Sequence, residues 1–309
     1  LIFKKEFGTK NFDKMNKLIS LSDGGVLAIG SSTTSREAND PIFKTGLGLN
    51  DIFLTRFSED GNELWSKKYG TINDDIGIDA VEAQDGSIVV LSQTSYADNK
   101  NITIMRITQN GNKIWMKIYE SKRKNTPYKI IKLKNNTFVV SISQVNDMNK
   151  EQIRLIKFDL QKNILIDKEI FTSYSSGLKD IKEYSNSNII GVGYIRDSYN
   201  TDGLVMQLDS ELNLISQEHF GDENYDEFNA VKILNNSQSA VVGTNTSPSS
   251  QESNMWIVKL NKDITIAQKT YNTNNFLQNL KDVFKKEIDS KILQIKDDFT
   301  INLIDENLY

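Results

Sequence analysis

His219 is the one histidine in the 309-residue chain, and there is no cysteine. Zinc sites and Ser-His-Asp catalysis rest on imidazole or thiolate, so both chemistries are disfavoured from the start. His219 stands between Glu218 and Phe220 in a segment with strand character, and it reads as a surface residue of an outer strand. The P-loop, the dinucleotide Gly-rich fingerprint and the EF-hand pattern are absent. Carboxylates are the groups left for chemistry. They cluster in Asn73-Asp74-Asp75 and in Asp222-Glu223-Asn224-Tyr225-Asp226-Glu227. Oxygen ligands from such loops suit Ca²⁺, which takes about six to eight of them, and Asp74, Asp75, Asp222 and Asp226 are the candidate ligands. The corresponding loops at 10–13, 121–127 and 173–178 lack the acidic pattern, so a ring of metal sites is not expected, nor is a cofactor. Paired acids also serve glycosidases when they flank a bond at about 5 to 9 Å, a distance that sequence separation does not supply. No run of aromatics marks a sugar groove.

Those loops are set by a repeat. The phrase Trp65-Ser66-Lys67-Lys68-Tyr69-Gly70 recurs as Trp115-Met116-Lys117-Ile118-Tyr119, as Asp167-Lys168-Glu169-Ile170-Phe171, as Ser216-Gln217-Glu218-His219-Phe220 and as Ala267-Gln268-Lys269-Thr270-Tyr271, with a first copy at Lys4-Lys5-Glu6-Phe7-Gly8. From Phe7 onward the terminal aromatics are spaced by 62, 50, 52, 49 and 51 residues, the interval of solenoids, propellers and arrays. Each unit holds four short runs rich in Ile, Val, Thr and aromatics, separated by turn residues. In the second unit these are 77–83, 87–92, 102–107 and 113–119. Asp23-Gly24, Asp85-Gly86, Asn135-Asn136 and Asn235-Asn236 suit the positive φ of tight hairpins between the first two runs. The third runs align residue by residue. A long polar side chain sits next to an apolar one in Arg56-Phe57, Arg106-Ile107, Lys157-Phe158, Gln207-Leu208 and Lys259-Leu260, the period of two that a sheet imposes.

Four antiparallel strands per repeat is the blade of a β-propeller, so the fold class is all-β, with residues 1–271 as the propeller. Five units are countable, and five blades is the first expectation. Six is the alternative, because the leading strand Ile2 to Phe7 either closes the last sheet or belongs to a further blade. Residues 36–50, inserted between the second and third runs of the first unit, read as a surface loop. Trp65, Trp115 and Trp256 read as packing between blades.

The Asp-Gly hairpin, the Leu27-Ala28-Ile29-Gly30-Ser31-Ser32 and Val241-Val242-Gly243-Thr244 second strands and the Trp-x-Lys-x-Tyr-Gly fourth strand resemble bacterial secreted propeller repeats, found in exported and outer-membrane-associated proteins. That resemblance implies a periplasmic or outer-membrane-associated location. Beyond Tyr271 the texture changes. Phe276, Leu277, Leu280, Val283, Phe284, Ile288, Ile292 and Ile295 recur at spacings of three and four, which predicts an amphipathic helix over 272–297 with Asn274 or Asn275 as cap. Its apolar stripe needs the propeller's side or the same helix of another chain. Residues 298–309 return to alternation. They are similar to the opening strand of OmpA-like peptidoglycan-binding domains, which implies a peptidoglycan contact through a domain further downstream; the bland alternative is packing on the last blade.

Composition is ordinary for a globular chain, with 38% hydrophobic and 25% charged residues, and the net charge of -4 argues against a nucleic-acid partner. Lys122-Arg123-Lys124 is the one dense basic run and reads as a solvated turn. No stretch reaches the ~18 apolar residues of a membrane span. The chain opens without Met, so a signal peptide or upstream blade is expected to be missing from it. The functional expectation is a non-enzymatic binding scaffold of the cell envelope that recognises a protein or glycan through loops on one propeller face. The alternative is a carboxylate-dependent hydrolase or lyase with its site in the central channel.

Overall fold

The computed structural model describes residues 4, 6–9, 12–33, 49–96, 99–221, 225–234, 238–246, 253–261 and 264. Residues 36–48 of the insertion, the acidic residue Asp222, the expected helix 272–297 and the terminal strand 298–309 lie outside them.

Among the described residues nineteen strands form five antiparallel sheets in chain order. The first sheet holds β1 (Asp13–Ser20), β2 (Val26–Thr33), β3 (Asn50–Phe57) and β4 (Glu63–Tyr69). The second holds β5 (Asp74–Glu82), β6 (Ile88–Tyr96), β7 (Asn99–Ile107) and β8 (Lys113–Tyr119). The third is β9 (Asn125–Lys132), β10 (Phe138–Val145), β11 (Glu151–Phe158) and β12 (Ile164–Ile170). The fourth is β13 (Ser175–Glu183), β14 (Ile189–Arg196), β15 (Thr201–Leu208) and β16 (Leu214–Phe220). The fifth comprises β17 (Glu227–Ile233), β18 (Ser239–Thr246) and β19 (Ser253–Leu260) among the described residues. Each strand pairs with the next in sequence, so every sheet is a meander of the kind that builds a propeller blade.

Alternation along the strands sends successive side chains to opposite faces of each blade, and in blades two to four both faces are buried against a neighbour. Leu27, Ile29, Ile52 and Leu54 of blade one pack with Ala80, Ile88, Val90, Met105 and Ile107 of blade two. Val89, Leu91, Ile102 and Ile104 leave the other face of blade two to meet Ile130, Phe138, Val140 and Ile156 of blade three. The cores therefore lie between blades, which explains why second and third strands read as nearly continuous apolar runs. First strands pack in consecutive pairs, β1 on β5, β5 on β9, β9 on β13 and β13 on β17.

The turns are local decisions of the sequence. Gly24 and Gly86 take φ of 82° and 77° at the first hairpins, where a side chain would be strained. At the second hairpins Gly61 and Gly111 give way to Lys162 and Leu212, which hold φ of 67° and 60°. Each first strand carries a bulge after its second, third or fourth pair, as between Gly77 and Asp79 or Leu178 and Asp180. Opposite two of these bulges stand Gly193 and Gly243, where an added Cβ would lie 1.9 and 1.8 Å from the carbonyl oxygens of Gly177 and Glu227. The Val-x-Gly-x-Thr pattern is thus a consequence of the bulge.

Bulky groups bolt the outer ends together. Trp65 Nε1 donates to Gln109 O at 2.9 Å and Trp115 Nε1 to Leu160 O at 3.2 Å, each reaching the second hairpin of the next blade. Arg56 Nη1 donates to the same Gln109 oxygen at 2.7 Å while its Nη2 holds Asp23 at its own hairpin tip, and Arg106 repeats the pairing with Asp85. The repeated polar residue of the third strand is therefore an interblade clamp. Trp256 stacks on Phe228 with ring centroids 4.7 Å apart, inside the core between blades four and five.

Candidate functional site

The bulges project two tiers of first-strand residues at the centre of the arrangement. One tier is Lys17, Asp79, Lys129 and Asp180, from blades one to four, in alternating sign. Lys129 Nζ lies 3.0 Å from Asp79 Oδ2 and 3.7 Å from Asp180 Oδ1, and both carboxylates are buried. Each acid also accepts a backbone N–H of the following first strand: Asp79 from Ile130 at 3.3 Å, Asp180 from Val231 at 3.0 Å. Burial depresses the Lys182 ammonium, Asp180 opposes that shift, and the neighbouring Lys129 adds to it. This tier ties blades together through charge.

The second tier and the strand ends beside it form a cluster of tyrosines and acids from three blades. Tyr194 on β14 donates its hydroxyl to Glu151 Oε2 on β11 at 2.7 Å, and Tyr128 on β9 lies 3.4 Å from the Tyr194 hydroxyl. Lys179 Nζ sits 5.9 Å from the centroid of the Tyr194 ring and 2.5 Å from Glu227 Oε1 on β17. Tyr225 donates to Glu227 Oε2 at 2.5 Å, and Arg196 covers the Tyr194 ring at 5.1 Å. Glu151 and Glu227, from blades three and five, are thus joined through Tyr194 and Lys179. Burial raises the hydroxyls of Tyr128 and Tyr194 above the usual tyrosine range and moves Tyr225 up to about 12, so all three remain proton donors at neutral pH.

This cluster opens onto the end of the propeller formed by the loops between second and third strands and between blades. Exposed apolar side chains gather at that end: Phe12, Ile72, Met148, Phe171, Tyr174 and Tyr199 all lie in such loops. At the opposite end the exposed large apolar side chains among the described residues are aliphatic ones at the starts of the outer fourth strands, Leu64, Ile114, Ile164, Leu165, Leu214 and Ile215, and none is aromatic. A pocket of about 520 Å³ at the same end, lined by Asn73, Thr94, Asn101, Glu120 and Lys122, lies on the second blade's side and away from the tyrosine cluster.

Of the proposed Ca²⁺ ligands, Asp74, Asp75 and Asp226 are described, and they do not converge. Asp74 and Asp75 are consecutive in β5 and so point to opposite sides. Asp74 accepts from Asn50 Nδ2 at 2.5 Å. Asp75 accepts from Thr71 N at 2.6 Å and Thr71 Oγ1 at 2.8 Å, and from Thr94 Oγ1. Its role is to close the loop entering the blade, as Asp13 does by accepting from Thr9 N at 2.6 Å. Asp226 occupies the same register position in blade five, is buried, and accepts from Thr246 N at 3.1 Å. Among the described residues no group of three or more His, Asp and Glu is placed to hold a metal. His219 is exposed on β16.

Sequence reasoning missed the Tyr128, Tyr194 and Tyr225 cluster because these residues are dispersed along the chain; only their shared place near the first-strand bulges brings them together. That place was visible as a repeat position, though not as a site.

These features define a β-propeller, and the comparisons agree. No family model matches the sequence, and no curated protein matches it. Among solved structures, the chain is similar to a polysaccharide lyase, PL25 ulvanlyase bound to -[GlcA(1-4)Rha3S]-, at a TM-score of 0.55 and 10% identity, over 82% of this chain and 65% of that one. It is also similar to the Hadza microbial sialidase Hz136, at a TM-score of 0.51 and 9% identity, over 82% of this chain and 57% of that one. The chain thus spans less than two thirds of the length of either, and the likeness is one of fold.

Proposed function

We propose that this propeller is a non-enzymatic binding module that holds a protein or glycan partner on the face bearing Phe171, Tyr174 and Tyr199. The observation that carries this reading is that the exposed aromatic side chains among the described residues, Phe12, Phe171, Tyr174, Tyr199 and Tyr225, all lie at one end of the blades. Exposed aromatics on loops held by a rigid scaffold are contact groups, and grouping them on one face marks that face for a partner. The polar Tyr128, Tyr194 and Glu151 cluster at its centre supplies directional donors and acceptors. A location in the bacterial cell envelope belongs to the same reading. The test is a glycan array and an envelope-protein pull-down run with the native chain, with a Phe171→Ser/Tyr174→Ser/Tyr199→Ser variant, and with Lys162→Ser at the opposite end as control. Binding lost in the triple variant alone supports the proposal; equal binding by all three removes this face from it.

A second reading is favoured by the Tyr194–Glu151 pair at 2.7 Å and by the linkage to Glu227. Carboxylates from different blades, bridged by a protonated tyrosine, suit a hydrolase or lyase acting on polysaccharide. Release of reducing ends or unsaturated products from a polysaccharide panel, abolished by Glu151→Gln, would establish it over the binding module.

A further inference from the structure

We propose that the cavity at the loop end of blade two is a saccharide subsite, which seats one pyranose unit against Ile118 and holds its hydroxyls with Asn73, Asn101, Glu120 and Lys122. The inference rests on the glycan half of the reading above and names where such a partner is gripped. At about 520 Å³ the cavity falls within the range of small-ligand pockets, and all five residues line it.

The polar side chains around it are not spent on one another. Asn101 Oδ1 accepts from Ser121 N at 3.0 Å, which fixes the amide and leaves its Nδ2 group without an acceptor among the described residues. Asn73 gives its backbone N–H to Thr71 Oγ1 at 3.1 Å, and its side-chain amide has no partner among the described residues. Glu120 and Lys122 are exposed and make no ion pair or side-chain hydrogen bond among them either. Two amides, a carboxylate and an ammonium thus converge on one cavity with their hydrogen-bonding capacity unused.

This set is particular to blade two. Asn101, Asp51, Gln152 and Asp202 hold one register position, each preceding the residue that pairs with the end of a fourth strand: Ile102 with Tyr119, Ile52 with Tyr69, Ile153 with Ile170 and Gly203 with Phe220. In blade three Gln152 closes the following loop with both ends of its amide, since Oε1 accepts from Thr172 N at 2.7 Å and Nε2 donates to Tyr174 O at 3.1 Å. Asn101 is one methylene shorter and makes only the first of these contacts. The second is taken over by Asn125 Nδ2, which donates to Arg123 O at 2.9 Å, so the Asn101 amide is freed for the cavity. Glu120 follows Tyr119 where Gly70 follows Tyr69 and Gly221 follows Phe220, and blade three has Phe171 at that place. Among blades one to four, only blade two puts a carboxylate there.

The chemistry fits a polyol. A carboxylate accepts from neighbouring hydroxyls in charge-assisted bonds, amide and ammonium groups donate to hydroxyl and ring oxygens, and an aliphatic wall covers the C–H face of a sugar ring. Glu120 and Lys122 cancel in formal charge, which suits a neutral sugar.

Saturation-transfer NMR on the full chain with the methyl glycosides of glucose, galactose, rhamnose, N-acetylglucosamine and glucuronic acid tests the site. At least one is expected to bind with a Kd on the order of 1 mM, as a few directional bonds allow. Glu120→Gln and Asn101→Asp are each expected to weaken that binding about tenfold. Asn101→Asp keeps the oxygen that Ser121 N requires, and Asp51 at the same place in blade one shows that the fold accepts it. The Phe171→Ser/Tyr174→Ser/Tyr199→Ser variant is expected to retain the monosaccharide while losing the larger partner, which separates this inference from the reading it rests on. Monosaccharide binding that survives both cavity substitutions, or that is lost in the aromatic triple variant alone, would overturn the cavity as the seat and leave the broader reading standing. Absence of transfer to every sugar tested would overturn the subsite outright.

Discussion

The hydroxyl of Tyr194 in blade four is held 2.7 Å from Glu151 Oε2 in blade three, so the same contact that pins two blades together also points a protonated phenol and a carboxylate toward the loop face. Structural and recognition roles meet in this pair. Glu151 begins β11 and Tyr194 lies two residues before the end of β14, which places both where the strands emerge from the interblade core.

Tyr194→Phe is expected to lower stability by about 1.5–3 kcal/mol, the range for a hydrogen bond to a charged group, and to free the Glu151 side chain. Urea unfolding measures the first effect. A loss under about 0.5 kcal/mol would show that water replaces the phenol without cost.

Tyr69 and Tyr119 occupy equivalent fourth-strand positions and are expected to respond oppositely to removal of their hydroxyls. Tyr69 donates to Gly111 O at 2.6 Å, whereas the buried Tyr119 hydroxyl has no hydrogen-bond partner. Tyr69→Phe is expected to cost about 1 kcal/mol, and Tyr119→Phe to be neutral or stabilising, because it removes a desolvated polar atom. Comparing the two melting temperatures checks the sign; equal losses would refute the distinction.

Lys129→Met leaves Asp79 and Asp180 buried with their common cation gone. Breaking one side of a buried ionic group costs about 3–5 kcal/mol, far more than an exposed pair would. A triple variant that also carries Asp79→Asn and Asp180→Asn is expected to recover part of the loss. Chemical denaturation of the three proteins decides whether the charge tier is a stabilising feature or a passive filler.

Alkaline pH is expected to destabilise the propeller ahead of ordinary base denaturation. Burial moves Tyr119 and Tyr225 up to about 12 and places Tyr69 and Tyr194 higher still. Both folded and unfolded chains hold these protons below about pH 10, so the stability is fully present there. Above that pH the unfolded chain releases protons that the folded one retains, and stability declines until the folded groups also ionise. Absorbance at the tyrosinate band, followed with unfolding at each pH, tests this. Ionisation of Tyr194 near the unfolded value would contradict the buried donor.

The residues Asp85-Gly86, the triplet Met105-Arg106-Ile107 and the closing Tyr119 were enough to foresee the strands and turns of a blade, because β-alternation and positive φ are properties of neighbours in sequence. The same local logic made Trp65 and Trp115 interblade groups, and both reach the next blade. It failed for Asp74 and Asp75, which adjacent numbering grouped as ligands and strand geometry sends to opposite faces. It could not assemble Glu151, Lys179, Tyr194 and Glu227, since those contacts span 15 to 48 residues and depend on how three blades turn about one axis. Which of two equivalent tyrosines has a partner was likewise decided by packing between units. A repeat writes its own unit into the chain many times, whereas the relation between units is written only in the tertiary structure.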